Sequence, residues 1–238
     1  MLLIIQTGDP VALAQPFGSF ADYFIRGMDV SGDQVQVFNV HQNQTLPKFN
    51  SNISGIIITG SAAMVTEHTL WMRQTQHWLE LAIDAKIPIL GVCFGHQLLA
   101  DLLGGQVDYN PKGRNMGLSV CRLNDAGSKD PLMAHINPKL EFNTLVSHQQ
   151  AVINLPQSVT LLAVCEKDQN HIFSYENNVW GVQFHPEWTI EIMQAYIKQR
   201  QFDLQVEGFD TQLMIEQLQS CNHARGLLNQ FKKIVGLN

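Results

Sequence analysis

The first 105 residues alternate between short apolar segments and longer segments with helical spacing, and this alternation leaves few possible folds. Strands are predicted over residues 2–5, 35–40, 56–59 and 87–92, and helices over residues 17–28, 70–85 and 95–103. The run Ile56-Ile57-Ile58-Thr59 is β-branched throughout, which is typical of a strand buried on both faces. A chain that repeats strand and helix in this order is predicted to form an α/β domain with a doubly wound, mostly parallel sheet.

The remainder of the chain has a different pattern. Between Gln106 and Val182 the apolar runs are short and separated by Asn, Pro and Gly, which predicts antiparallel additions to the sheet. From Ile190 onward the spacing is helical, with a break near Gly208. We expect one domain over residues 1–200 and a helical C-terminal extension of that domain over residues 201–238. At least one amphipathic helix is predicted there, packed on the domain or in contact with a second chain.

Composition and charge exclude several classes of protein. The net charge is −6, from 15 basic and 21 acidic residues, and no basic run is present, which disfavours nucleic-acid binding. No apolar stretch approaches the roughly 18 residues of a membrane span, and MLLIIQTGDP lacks the basic start of a signal peptide. We therefore expect a cytoplasmic protein that binds neither membrane nor nucleic acid. Its four separated cysteines are expected to be free thiols.

Gly91-Val92-Cys93-Phe94-Gly95 places a cysteine between two glycines where a strand is predicted to meet a helix. The sharp turn that lifts a nucleophile above a sheet needs small residues on both sides. The N-terminus of the following helix favours a thiolate there, because its N–H groups and dipole attract negative charge. The alternative is a buried structural cysteine at the end of a strand.

A second segment, Gly181-Val182-Gln183-Phe184-His185-Pro186-Glu187, carries a histidine after another predicted strand. In extended backbone, His185 and Glu187 would project from the same side. A carboxylate on one imidazole nitrogen fixes the tautomer and leaves the other nitrogen to act on a thiol. The alternative is a surface turn with Glu187 in the first turn of a helix.

Together, GVCFGHQLLA and GVQFHPEW resemble the class I (triad) glutamine amidotransferases, such as the amidotransferase domain of GMP synthase and stand-alone relatives. The resemblance covers roughly residues 1–200. It implies a flavodoxin-like glutaminase domain in which Cys93 is the nucleophile, His185 the general base and Glu187 its orienting carboxylate.

The same resemblance implies further site residues. The backbone N–H groups of Ser61 and Phe94 would form the oxyanion hole, although Thr59-Gly60-Ser61-Ala62 lacks the second glycine and the proline of the usual loop. Many relatives carry Asp where Gln150 stands. The substrate-binding residues implied by the resemblance are Gly60, Gln97, Ser147 and His148.

Other interpretations of these residues are weaker. A zinc site from Cys93, His96, His185 and Glu187 would leave the glycines around Cys93 without a purpose, so we expect no metal and no cofactor. His148 is a rival base, but no carboxylate is adjacent to it in sequence. Cys121 and Cys165 lie in predicted strands and are expected to be buried.

Three functions stay open at this point. The first is hydrolysis of the glutamine amide through a cysteine thioester, with ammonia passed to a separate synthetase subunit or released. The second is a γ-glutamyl peptidase or hydrolase that uses the same triad on another γ-glutamyl compound. The third is a catalytically idle regulatory or interaction module, against which the intact triad counts.

Overall fold

The structure is a computed structural model that describes residues 1–49, 52–137 and 139–237. The strands are β1 Leu2–Gln6, β2 Val35–Asn39, β3 Gly55–Ile58, β4 Ile89–Val92, β5 Gln106–Tyr109, β6 Asn115–Leu123, β7 Phe142–His148, β8 Gln150–Asn154, β9 Thr160–Cys165, β10 Asp168–Tyr175 and β11 Val179–Val182. The helices are α1 Phe20–Met28, α2 Leu70–Asp84, α3 Phe94–Leu102, α4 Ile190–Gln199, α5 Gln201–Val206, α6 Thr211–Glu216 and α7 Asn222–Ile234.

In the described part of the chain, nine strands form one mixed sheet in the order β2-β1-β3-β4-β11-β10-β9-β6-β7. The neighbours from β2 to β11 are parallel, and those from β11 to β7 are antiparallel. Strands β5 and β8 form a separate antiparallel pair. This confirms the predicted doubly wound fold with parallel core strands, antiparallel additions and a helical C-terminal part. The order of the five parallel strands is that of a flavodoxin-like sheet.

The core strands are apolar on both faces because helices cover both sides of the sheet. In β1, Leu2 and Ile4 belong to one buried cluster, whereas Leu3 and Ile5 belong to the other. The first cluster contains side chains of α1, α4 and α7, and the second contains side chains of α2 and α3. Successive strand residues point to opposite faces, so a continuous apolar run is the expected pattern for such a strand.

Two element boundaries differ from the sequence prediction. Helix α1 begins at Phe20 rather than Phe17, because Ser19 and Asp22 form a reciprocal capping box: Ser19 N–H donates to Asp22 Oδ2 at 2.7 Å, and Asp22 N–H donates to Ser19 Oγ at 3.2 Å. Strand β4 begins at Ile89 rather than at Ile87. The sequence pattern also did not reveal the short β5–β8 pair.

The C-terminal helices lie against the domain. In α7, Leu227, Leu228 and Phe231 are fully buried, and the helix contacts α1 and β7. The Phe231 ring meets Trp180 of β11 edge to face, with 6.3 Å between ring centroids. The apolar face of α7 therefore completes one side of the core. Among the described residues, no helix has the length and apolar character needed to cross a membrane.

We expect Phe231→Ala to lower the free energy of unfolding by about 3–5 kcal/mol, because it leaves a cavity beside Trp180. The matched control is Phe202→Ala in α5, whose side chain is 78% exposed and should contribute little. Urea denaturation of both variants measures the difference. Equal effects of the two substitutions would contradict the assignment of α7 to the core.

Candidate active site

Three chemically important positions meet where neighbouring parallel strands end. Gly60 follows β3, Cys93 follows β4 and His185 follows β11, and β4 lies between the other two. Hydrogen bonds between backbone groups join these segments to the sheet: Cys93 N–H donates to Val182 O at 2.9 Å, and His185 N–H donates to Leu145 O at 2.8 Å. The carboxyl edge of a parallel sheet is where doubly wound folds bind their ligands.

The backbone at Cys93 forms a strained turn between β4 and α3. Its φ is 53° and its ψ −100°, a conformation that side-chain-bearing residues rarely adopt. A Cβ on Gly91 would lie 2.5 Å from Gly95 O, and a Cβ on Gly95 would lie 2.5 Å from Ile58 O. Both glycines are therefore required by close packing, as expected for a nucleophile elbow. Because α3 begins at Phe94, the thiol lies at a helix N-terminus.

His185 and Glu187 form a buried pair next to Cys93. His185 Nδ1 lies 2.7 Å from Glu187 Oε1, and the two residues are only 4% and 2% exposed. The expectation that extended backbone brings them together is wrong, since residues 183–188 form bends and a turn. Trp188 N–H donates to His185 O at 3.4 Å within that turn. Glu187 precedes α4, which begins at Ile190, so it is not a residue of the helix's first turn.

The electrostatic surroundings of His185 favour its protonated form. Burial lowers the pKa of His185, but the Glu187 carboxylate and the Cys93 sulfur outweigh burial and raise this pKa to about 10. Because Nδ1 faces Glu187, Nε2 is the ring nitrogen that is left to act on Cys93. The indole of Trp188 stacks on the imidazole with 3.8 Å between centroids and 12° between planes. The ring is therefore fixed in orientation and charged at neutral pH.

The loop after β3 is held without the glycine and proline that the family pattern would supply. Thr7 N–H donates to Thr59 Oγ1 at 3.0 Å, and Thr7 Oγ1 donates to Gly60 O at 2.8 Å. Ser61 Oγ in turn donates to Thr7 O at 2.7 Å. A Cβ on Gly60 would lie 2.9 Å from His185 Cε1. The loop is thus packed directly against the imidazole, with Ser61 beside Cys93 in the wall of the same cleft.

A cleft of about 180 Å³ opens on one side of Cys93, and three of the four residues predicted to bind substrate line it: Gln97, Ser147 and His148. Gly60 is not part of this wall. Gln97 Nε2 donates to Gln150 O at 2.7 Å and to Gln183 Oε1 at 3.0 Å, so both of its amide hydrogens are engaged. Only Gln97 Oε1 is left for a ligand.

His148 differs from His185 in its charge. Burial lowers the pKa of His148 to about 4, so the ring is neutral at pH 7. Its Nδ1 lies 2.8 Å from Gln150 O and donates to it, and Nε2 has no partner among the described residues. Gln150, at the position where relatives carry Asp, donates through Nε2 to Thr66 Oγ1 at 2.7 Å. These contacts make His148 part of the cleft wall rather than a base.

A second lobe of about 40 Å³ lies on the His185 side of Cys93, and sequence reasoning missed three of its side chains, Trp188, Tyr196 and Arg200. It is lined by Cys93, His185, Trp188, Tyr196 and Arg200, together with neighbouring residues. Arg200 lies between α4 and α5 and borders both lobes. Trp188 directly follows Pro186-Glu187, so the sequence motif itself could have identified it as a site residue. Arg200 carries no local signal, because only the packing of α4 brings it to the site.

Another cysteine, Cys165, also lies near a histidine and a carboxylate. His171 Nδ1 is 3.0 Å from Asp168 Oδ2, and burial, which lowers the pKa of His171, is outweighed by Cys121 and Asp168, which raise it. Cys121 and Cys165 face each other across β6 and β9 and are buried, as predicted. Cys165 lies at the end of a regular strand without a strained turn or helix N-terminus, so this cluster lacks the features that surround Cys93.

His96 does not join Cys93 in a metal site. It is fully buried in α3, and its ring packs on Phe173 with 4.9 Å between centroids. Among the described residues, no group of three or more His, Cys, Asp or Glu side chains is arranged to hold a metal ion.

Comparison with known proteins places this geometry in a family. Residues 16–204 match the family described as glutamine amidotransferase class-I. The chain belongs to the class-I glutamine amidotransferases. This is a family of cysteine-dependent amidotransferases and hydrolases, and its members act on the amide of glutamine or on other γ-glutamyl bonds.

Individual relatives differ in their names and lengths. The chain is 30% identical over 197 residues to gamma-glutamyl peptidase 5 of Arabidopsis thaliana, covering 80% of this chain and 76% of the relative. It is 34% identical over 141 residues to the glutamine-hydrolysing GMP synthase of Thermosipho africanus, covering 59% of this chain and 25% of that protein. A glutamine amidotransferase structure from Thermotoga maritima has the same fold, with a TM-score of 0.79, 19% identity and coverage of 99% and 98%.

We expect Glu187→Gln to lower the pKa of His185, because the substitution removes the negative charge that favours the imidazolium. NMR titration of 15N-labelled imidazole measures the shift. Glu191→Gln is the matched control, since this carboxylate is exposed on α4 and makes no contact with His185. A His185 titration that is the same in the wild type and in Glu187→Gln would show that the carboxylate does not control the ring's charge.

Proposed function

We propose that this protein hydrolyses γ-glutamyl amides, with glutamine as the simplest substrate, through a thioester on Cys93. The observation that carries this proposal is the meeting of a strained cysteine with a buried His185–Glu187 pair at adjacent strand ends. The family is one of cysteine-dependent amidotransferases and hydrolases, which supports the same reaction class.

The first half of the reaction forms the acyl-enzyme. The Cys93 sulfur attacks the carbonyl carbon of the substrate's side-chain amide, and a C–S bond forms as the carbonyl oxygen becomes negative. The N–H groups of Ser61 and Phe94 stabilise this oxyanion. His185, protonated at neutral pH, gives its Nε2 proton to the amide nitrogen. The C–N bond then breaks and the amine or ammonia leaves.

The second half releases glutamate. His185, now neutral, takes a proton from a water molecule as that water attacks the thioester carbon. The C–S bond breaks, and the thiolate–imidazolium pair is restored. Throughout both halves, Glu187 fixes the imidazole orientation through Nδ1 and offsets its positive charge.

The cleft beside Cys93 fits the amino-acid end of the substrate. Gln97 Oε1 and Gln150 Oε1 are acceptors in its wall, and Gln150 Oε1 is buried without a partner among the described residues. We infer that these oxygens receive the α-ammonium group. The neutral amide of Gln150 would then accept this hydrogen bond at the position where many relatives carry an Asp.

Two fates of the leaving group remain within this proposal. The similarity to GMP synthase supports a second candidate, in which ammonia from glutamine passes to a separate synthetase subunit. The similarity to a γ-glutamyl peptidase supports hydrolysis without an acceptor. Comparing kcat/KM for glutamine with kcat/KM for γ-glutamyl dipeptides separates these two candidates.

Cys93→Ala and Cys93→Ser should abolish hydrolysis of glutamine and γ-glutamyl dipeptides while leaving the protein folded, because the thiolate is chemically required. A diazo-ketone analogue of glutamine should label the wild type once per chain and should not label Cys93→Ala, as measured by mass spectrometry. Cys165→Ala is the matched control and should still be labelled. Labelling that persists in Cys93→Ala, or is lost in Cys165→Ala, would overturn the assignment.

Gly60→Ala should lower kcat/KM for glutamine by about tenfold or more, because the new methyl group would displace the imidazole of His185. Gly32→Ala is the control, since a Cβ there meets nothing within 4 Å. Both variants should fold, which circular dichroism verifies. Undiminished activity of Gly60→Ala would show that the contact between the loop and His185 is not needed.

A further inference from the structure

The chemistry of the first step defines which lobe receives which part of the substrate. His185 protonates the departing nitrogen, so whatever is attached to that nitrogen must lie on the His185 side of Cys93. The lobe of about 40 Å³ contains His185 in its wall, whereas the cleft of about 180 Å³ does not. The smaller lobe is therefore the leaving-group side, and it is larger than ammonia requires.

This lobe presents two buried N–H donors without acceptors. Arg200 Nε is buried and has no hydrogen-bond partner in the described ranges. The same holds for the indole Nε1 of Trp188, a residue that is 2% exposed. Buried donors without partners are costly, and a ligand with acceptor oxygens would satisfy them.

Among the described residues Arg200 forms no ion pair, although its charge contributes to lowering the pKa of Glu207. Arg114 is engaged by Glu207 through two hydrogen bonds of 2.8 Å. Asp9, the acidic residue in the lobe wall, lies 3.1 Å from His41 Nε2 and accepts from Gln6 Nε2 at 3.3 Å. Arg200 is held in position by its backbone, because its N–H donates to Tyr196 O and its carbonyl accepts from Leu204 N–H.

We propose that Arg200 binds a carboxylate in the leaving group, so that the preferred substrates are γ-glutamyl amides of amino acids or peptides. This inference rests on the proposed thioester mechanism and adds the class of substrate. A guanidinium fork matches a carboxylate in geometry and charge. The hydrolysed bond joins the carbonyl carbon of the γ-glutamyl group to the α-nitrogen of the second residue, and water replaces that nitrogen to give glutamate and a free amino acid or peptide.

The test compares γ-glutamyl-alanine with γ-glutamyl-alaninamide, which differ only in the C-terminal carboxylate. For the wild type we expect kcat/KM to be about tenfold to a hundredfold higher for the acid, the usual size of a hydrogen bond to a charged group. In Arg200→Gln this ratio should fall towards one, and Arg200→Lys should retain part of it. Lys198→Gln is the matched control: it removes a positive charge from an exposed position on α4 and should keep the wild-type ratio.

The possible failures are distinguishable. If neither glutamine nor any γ-glutamyl compound is hydrolysed by the wild type, the proposed function falls and the inference falls with it. If glutamine is hydrolysed but the two dipeptides are not, or the acid-to-amide ratio is near one, only the role of Arg200 is overturned. An acid-to-amide ratio in folded Arg200→Gln that equals the wild-type ratio would also overturn only the role of Arg200. Should Arg200→Gln fail to fold, the acid-to-amide ratio of kcat/KM is measured for the wild type at increasing salt. This ratio should decrease from 0.05 M to 1 M salt, because salt screens the attraction between Arg200 and the carboxylate. A ratio that does not depend on salt would overturn the inference.

Discussion

The backbone of Cys93 is the constraint on which the site depends. Its positive φ costs on the order of 1–3 kcal/mol and persists only because the surrounding structure fixes it. Gly91 and Gly95 allow β4, α3 and the neighbouring strand to approach at distances that no side chain would permit. The N–H of Cys93 is held by β11, the strand that also leads to His185. Cys93 and His185, the proposed nucleophile and acid–base residue, are therefore positioned by the same pair of parallel strands.

Local features of the sequence were sufficient to predict most of the fold and the central pair of motifs. The glycines around Cys93 lie in one short segment, and the carboxylate two residues after His185 lies in another. Each motif can therefore be recognised from the sequence without knowledge of the fold. The contacts of Gln97 and the location of Arg200 depend on the packing of segments that are far apart in the sequence. The turn that joins His185 to Glu187 could not be anticipated either, because β11 ends early where its chain leaves the sheet for β7.

Four buried histidines show that burial alone does not determine charge. Burial lowers the pKa of each, and both His96 and His148 stay neutral, each with a pKa of about 4. The pKa of His185 rises to about 10 beside Glu187 and Cys93, and that of His171 rises beside Cys121 and Asp168. A charged histidine near a cysteine is thus present twice in this protein. Among the four cysteines in the described residues, only Cys93 combines a strained turn, a helix N-terminus and an adjacent cleft, and this combination is what a nucleophile requires.

Trp188 links the acid–base chemistry to the recognition of the leaving group. One face of its indole holds the imidazole of His185 at 3.8 Å, and the same residue lines the lobe that Arg200 borders. Tyr196 packs on this indole from α4, with 4.2 Å between ring centroids. The helix that carries Arg200 therefore also supports the ring that orients His185. A leaving group bound in this lobe would contact the stacked rings that orient His185, the proposed proton donor. Binding energy in the lobe would then improve proton transfer as well as affinity. A change on the leaving-group side of the site is therefore expected to alter catalysis and specificity together.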